Sequence, residues 1–200
     1  MTTNRDTIYA QTLGDPGLFT FNKDVVGVFP DMINRSVPGY ATVISMTGLL
    51  AARYARTGTC IYDLGCSLGA STLKIRHHVP ADCHIVAVDN SAAMVKRCQG
   101  NLERDHSAAS VEVMLADLRE VEIRDASVVV MNFTLQFVAD EDRPALLERI
   151  CEGLRPGGML ILAEKISFED KGAQTLLTDL HHDFKRTNGY SDLEIGRAHV

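Results

Sequence analysis

Residues 61–72 read IYDLGCSLGAST. An apolar lead-in ends in an acid, Asp63, and two glycines, Gly65 and Gly69, follow before a helix-like run opens. Glycine tolerates the left-handed backbone that a strand-to-helix turn requires, so the stretch reads as strand, turn, helix. Turns of this build serve dinucleotides, nucleoside triphosphates, other nucleoside ligands, or nothing beyond their own geometry. The choice rests on the residues around the turn.

From residue 60 onward, β-rich runs alternate with helical patterns. CIYDL precedes ASTLKIRHHV, HIVAVD precedes SAAMVKRCQGNLERD, VEVMLA stands alone, SVVVMNFT precedes ALLERICEGL, and MLILAEK precedes QTLLTDLHHDFKRT. The alternation predicts an α/β fold, a Rossmann-like, mostly parallel sheet with helices on both faces, because its strands are continuous apolar runs. Ser91 is placed to cap a helix in which Met94, Val95, Cys98 and Leu102 recur at helical spacing. Asp142 is placed to cap the helix of Leu146, Leu147, Ile150 and Leu154, with Pro144 in its first turn and RPGG as its stop. Pro38 opens a further pattern, with Tyr40, Val43, Ile44, Leu50 and Tyr54 on about one face. One domain is expected, with residues 1–58 as an N-terminal helical cap and 59–190 as the core.

Composition narrows the function classes. The chain has 200 residues, 46% of them hydrophobic and 23% charged, which suits one soluble domain with its own core. A net charge of −6 argues against direct binding of a nucleic-acid backbone. MTTNRDTIYAQTLGD lacks an apolar segment behind a basic start, and the longest apolar stretch, ASVVVMNFTLQFVA, carries Asn and Gln, so neither targeting nor membrane insertion is expected. The cysteines at 60, 66, 83, 98 and 151 are odd in number and lack ligand spacing. They fit reduced thiols in the cytoplasm, with neither disulfide nor metal.

The order Asp63, Gly65, Ser67, Gly69 departs from the GxGxxG of dinucleotide turns. It matches the D-x-G-x-G-x-G turn of S-adenosylmethionine-dependent enzymes, with Ser67 in place of the middle glycine. An acid at the strand tip suits the ammonium and sulfonium of S-adenosylmethionine, and turn N–H groups suit its carboxylate, whereas Asp63 would repel a pyrophosphate. Asp89 ends the next strand, 20 residues after Gly69, where nucleoside-binding folds place an acceptor for ribose hydroxyls. By itself it could equally be a helix cap. Asp117 follows the third strand, as an acceptor for an adenine amino group or as a solvated loop acid. Asn132 ends the fourth strand among Val, Met and Phe, where a polar side chain needs partners. Adjacent His181 and His182 point about 100° apart on a helix, which favours a solvated or interface face over a metal site. Cys66 could be a turn residue or a small packing residue.

RDTIYAQ, VFPDMINRSVPGY, YDLGCSLGAST, AVDNSAAMVKRC, MNFTLQFV, EGLRPGG, EKISFED and HHDFKRTNGYSDLE together resemble the carboxy-S-adenosyl-L-methionine synthase family, across residues 4 to 195. The resemblance implies a class I methyltransferase fold that does not methylate. Members convert S-adenosyl-L-methionine and prephenate into carboxy-S-adenosyl-L-methionine and phenylpyruvate. In the chemistry proposed for them, prephenate loses carbon dioxide and hydroxide, hydroxide deprotonates the sulfonium methyl, and the resulting ylide captures the carbon dioxide. The product feeds a tRNA carboxymethyltransferase that modifies wobble uridine, and a homodimer is implied.

Carried over by motif, the cofactor contacts are Tyr40, Gly65, Cys66, Ser67, Asp89, Asn90, Asp117, Leu118 and Asn132, beside Asp63. The resemblance assigns no catalytic residue, and Arg35 is a candidate for gripping prephenate. An arginine that meets the transferred carboxylate in the family is His199 here. EIGRAHV is also one translation of a common sequencing adapter, so residues 195–200 are expected to be a non-native tail, the final antiparallel strands missing, and residues 1–200 inactive by themselves. The competing readings are an ordinary small-molecule methyltransferase and an inactive S-adenosylmethionine-binding module.

Overall fold

The computed structural model describes residues 5–6 and 23–197. Contacts group the chain into two compact units, Thr42–Lys165 and Met1–Ala41 with Ile166–Val200. The first holds five strands, β1 (Cys60–Leu64), β2 (His84–Asp89), β3 (Ser110–Leu115), β4 (Ala126–Asn132) and β5 (Leu154–Ala163). Their order is β3-β2-β1-β4-β5, and every neighbouring pair is parallel. Helices α3 (Ala70–Arg76), α4 (Ala92–Leu102) and α5 (Arg143–Gly153) make the crossovers β1 to β2, β2 to β3 and β4 to β5, and most of α2 (Tyr40–Tyr54) joins them. The strand order reverses between β1 and β4. In open α/β sheets the crevice outside the carboxyl ends at such a reversal is where ligands bind.

Alternate strand residues supply the two faces. Tyr62, Leu64, Val86, Val88, Val129 and Met131 share one buried layer with Leu146 and Ile150 of α5. Ile61, Ile85, Val128, Val130 and Ile161 share the other with Ala51 of α2 and Ile75 of α3. This is the doubly covered parallel sheet that the apolar runs predict. Fully burying each such aliphatic side chain contributes about 1.5–3 kcal/mol.

Local signals fare unevenly. Ser91 caps α4, its hydroxyl accepting from the Met94 N–H at 3.3 Å. Asp142 precedes α5 without a side-chain cap bond; its carboxylate pairs with Arg119 at 2.6 Å, a charge-assisted contact that outcompetes a backbone N–H. RPGG does not lie between elements. β5 already starts at Leu154, opposite Ala126, and the ladder shifts so that Val128 pairs with Met159.

The second unit contains α1 (Lys23–Ser36), α6 (Lys171–Thr187) and α7 (Asp192–Arg197). Arg35 stitches it together. Its Nε donates to the Asn188 carbonyl at 2.7 Å, its Nη1 reaches Asp31 at 3.0 Å and the Asp6 carbonyl at 3.3 Å, and its guanidinium lies 4.1 Å over the Tyr190 ring. Tyr190 in turn donates to Asp6 at 2.6 Å. The cation considered for prephenate is thus engaged in a protein network. His181 meets the Ser36 carbonyl at 2.8 Å, and the ring of His182 lies 6.4 Å from its own. Of the expected tail, Ile195 is buried within α7, whereas residues 198–200, His199 included, lie outside the described residues.

Ile61 lies mid-sheet with no exposed surface. Ile61→Ala is expected to lower unfolding free energy by about 2–5 kcal/mol, whereas Cys151→Ala, at an exposed position, changes it by less than about 0.5 kcal/mol. Urea denaturation of both variants checks this.

Candidate functional site

The glycine turn leaves β1 at the strand-order reversal. Gly65 takes φ +83° and Gly69 φ +84°, and both positions are sterically closed. A Cβ on Gly65 would collide with the side chain of Thr134, and one on Gly69 would sit 2.7 Å from the Cys98 sulfur. Ser67, which stands where the motif has its middle glycine, takes φ +50°, a left-handed conformation open to small polar residues at modest cost.

The turn is bonded chiefly to the protein itself. The N–H groups of Gly65 and Cys66 both donate to the Val88 carbonyl, at 2.8 and 2.9 Å, and that of Gly69 donates to the Cys66 carbonyl at 2.8 Å. The Ser67 N–H donates to Asp89 Oδ2 at 2.9 Å, while Asp89 Oδ1 accepts from the Ser91 N–H at 2.9 Å. Burial pushes the Asp89 carboxyl up, and the N–H groups of Ser91 and Ser67 oppose that. Each oxygen keeps a lone pair, so Asp89 can still accept ribose hydroxyls. It is not the helix cap, a position that Ser91 takes.

Asp63 has a different partner from the one its position suggested. Its side chain is buried and accepts from the Thr72 hydroxyl at 2.5 Å, so the carboxylate anchors α3 rather than facing an open turn. Burial pushes it up to about 6, against hydrogen bonds from the Thr72 hydroxyl and N–H. Cys66 is buried against Ala87, Cys98 and Leu102, and hydrogen bonding with Cys98 and burial push its thiol up, which makes it a packing residue. Asp117 is gripped by Arg119, whose Nε lies 3.1 Å from both carboxylate oxygens; that side chain and the Arg119 N–H hold its pKa below the usual range. Asn90 is exposed, and Leu118 packs on the core. Tyr40 opens α2 but belongs to the other unit.

Asn132 closes β4. Its amide donates to Thr47 at 3.1 Å and Ser71 at 2.9 Å, and its Oδ1 is buried without a partner. With Thr42, Val43, Met46, Leu50, Ile161 and Ala163 it borders a cavity of about 230 Å³. The structure therefore joins Ser67 directly to Asp89 and sets Asn132 on the neighbouring strand tip. Thr47, Ser71, Thr72, Thr134 and Glu164 were not singled out from the sequence. Their roles depend on partners far along the chain; only the Ser-Thr pair at the start of α3 offered a local signal. Among the described residues no three His, Cys, Asp or Glu side chains gather as a metal site, and no helix is long and apolar enough to cross a membrane.

A family model described as a methyltransferase domain matches residues 61–158, from the glycine turn to β5. A carboxy-S-adenosyl-L-methionine synthase of Vibrio atlanticus (strain LGP32) is 57% identical over 195 residues, covering 97% of this chain and 81% of the relative. The chain belongs to the carboxy-S-adenosyl-L-methionine synthase family. The same-named protein of Aliivibrio fischeri (strain ATCC 700601 / ES114) is 56% identical over the same shares of both chains. Solved structures establish the fold alone. A Methanococcus maripaludis protein classed as an S-adenosyl-L-methionine-dependent methyltransferase shares 19% identity at TM-score 0.58, over 92% of this chain and 84% of its own. The cyclopropane synthase MmaA2 of Mycobacterium tuberculosis shares 14% at TM-score 0.52, over 73% and 60%. The family thus sets a class I methyltransferase fold around this turn.

Asp63 has a measurable signature. Its folded pKa of about 6 exceeds the reference 3.8, so its contribution to stability is full below about pH 4 and is lost as pH rises to about 6. The difference corresponds to about 3 kcal/mol. Asp63→Asn is expected to flatten this part of the stability profile, as followed by urea midpoints between pH 4 and 7.

Proposed function

We propose that the protein is a carboxy-S-adenosyl-L-methionine synthase that uses S-adenosyl-L-methionine and prephenate and releases phenylpyruvate. The observation that carries this reading is the 57% identity across 97% of the chain to a synthase of that name. The donor set at the strand tips fits the cofactor. Asp89 offers ribose acceptors, Asn132 offers a free amide oxygen, and the turn carries no lysine or arginine of the kind a pyrophosphate would want.

When bound, S-adenosyl-L-methionine supplies an acidified sulfonium methyl on which a carboxyl group from prephenate can be captured, with water as the other product. The chain's own part is positioning and electrostatics. Asp89 would orient the ribose from a carboxylate already fixed by two N–H groups. Asn132 would face the reacting end from a side chain fixed by Thr47 and Ser71. Asp117 would meet the adenine amino group while held by Arg119. Asp63 would keep α3 in place beneath the turn. The family likeness further supports a cytoplasmic homodimer, without metal, whose product is consumed by a tRNA carboxymethyltransferase acting on wobble uridine.

Mass spectrometry of ligand extracted from the purified protein tests this. A species one carboxyl group heavier than S-adenosyl-L-methionine is expected from His199→Arg, which supplies the guanidinium the family places there, and little of it from the chain with His199. S-adenosylhomocysteine would indicate methyl transfer, and unmodified cofactor without turnover a binding module. Asp89→Ala is expected to weaken cofactor binding by about tenfold or more, since it removes charged acceptors worth roughly 1.5–3 kcal/mol each. Calorimetric titration measures it.

A further inference from the structure

Thr134 occupies the space a side chain on Gly65 would need, so the segment after β4 lies directly against the glycine turn. That segment is awkward to hold. Phe133 takes φ +57°, a left-handed conformation costly for a bulky residue, and a single 3₁₀ turn (Leu135–Phe137) follows whose capping position, Thr134, makes no side-chain cap bond. Two contacts, from the last residue of β5 and the residue after it, restrain it. The Phe133 N–H donates to the Ala163 carbonyl at 2.7 Å, and the Leu135 N–H donates to Glu164 Oε1 at 2.5 Å. The carboxylate also lies near the N–H groups of Thr134 and Gln136, which oppose the rise in its pKa, so Glu164 covers the start of the 3₁₀ turn from the position just after β5.

A carboxylate is an expensive cap here. Its Oε2 is buried with no partner, and burial raises its pKa against the backbone donors. Desolvating an acid with one oxygen unsatisfied is disfavoured unless the geometry it enforces is required.

We infer that Glu164 is a positioning residue for the cofactor turn: it clamps the strained segment after β4 so that Thr134 packs on Gly65 and the turn keeps the shape that presents Ser67 and Asp89 to the ligand. Glu164 acts through Thr134 and touches no reacting atom. The inference rests on the cofactor site proposed above.

The test is calorimetric binding of S-adenosyl-L-methionine to wild type, Glu164→Gln, Glu164→Ala, Thr134→Ala and the double variant Glu164→Gln/Thr134→Ala. Circular dichroism confirms that each is folded at the titration temperature. Replacing the charged acceptor by a neutral one weakens the clamp and is expected to raise Kd about fivefold in Glu164→Gln, with the double variant no worse than the poorer single variant, the mark of one shared route. Should Glu164→Ala fail to fold, Glu164→Gln, which keeps size and one acceptor, carries the test. A Kd within about twofold of wild type, or effects that simply add, overturns the role of Glu164 while leaving the cofactor site intact. Wild type that takes up no S-adenosyl-L-methionine overturns the cofactor site and this inference with it.

Discussion

One carboxylate organises the carboxyl edge of the sheet. Asp89 accepts from the Ser67 N–H with one oxygen and from the Ser91 N–H with the other, so the turn after β1 and the start of α4 are pinned to a single rigid group. The Val88 carbonyl, one residue earlier, takes the N–H groups of Gly65 and Cys66. The turn therefore inherits its shape from β2, which is itself locked between β1 and β3 in the ladder. Bonds to an ionised acceptor are the strong ones, roughly 1.5–3 kcal/mol each. Remove the charge and the Ser67 link to β2 weakens, leaving those of Gly65 and Cys66 to the Val88 carbonyl.

Two acids at successive strand tips have been given opposite tasks by their surroundings. Asp63 is buried and answered by Thr72 alone, so burial dominates and its carboxyl rises to about 6. Asp89 is only partly buried and is answered by one backbone donor on each oxygen, which leaves each a further lone pair. The glycine pattern makes this division possible. Gly65 leaves room for Thr134, and Gly69 leaves room for the Cys98 sulfur, so neighbouring elements close over the turn from two sides.

The sheet was legible because parallel strands buried on both faces announce themselves as apolar runs, and their tips then name Asp89 and Asn132 as edge residues. Ser91 was legible as a cap because its partner, Met94, is three residues away. What the sequence concealed is long-range satisfaction. Arg35 reads as an available cation until its donors are found on Asp31, Asn188 and Asp6. Asp142 reads as a cap until Arg119, 23 residues earlier in the chain, is found beside it. Glu164 shows no local motif at all, since its partners lie across the sheet on the segment after β4. Each miss is a side chain whose role is decided by a residue more than a helical turn away, or by competition between a charged and a neutral partner.

That distinction also sharpens the choice of ligand. A turn that cradles phosphate must leave its N–H groups pointing at the anion. Here those of Gly65, Cys66, Ser67 and Gly69 are all spent inside the protein. A pyrophosphate would meet Asp89 instead, and two like charges 4 Å apart near a protein surface repel by about 4 kcal/mol. Arg119, beside the third strand tip, cannot offset this, because Asp117 and Asp142 already share it. The edge offers acceptors, so it selects a ligand rich in donors and carrying positive charge. The selectivity lies less in Asp63, which is sealed beneath the turn, than in the internal use of the turn's own amides.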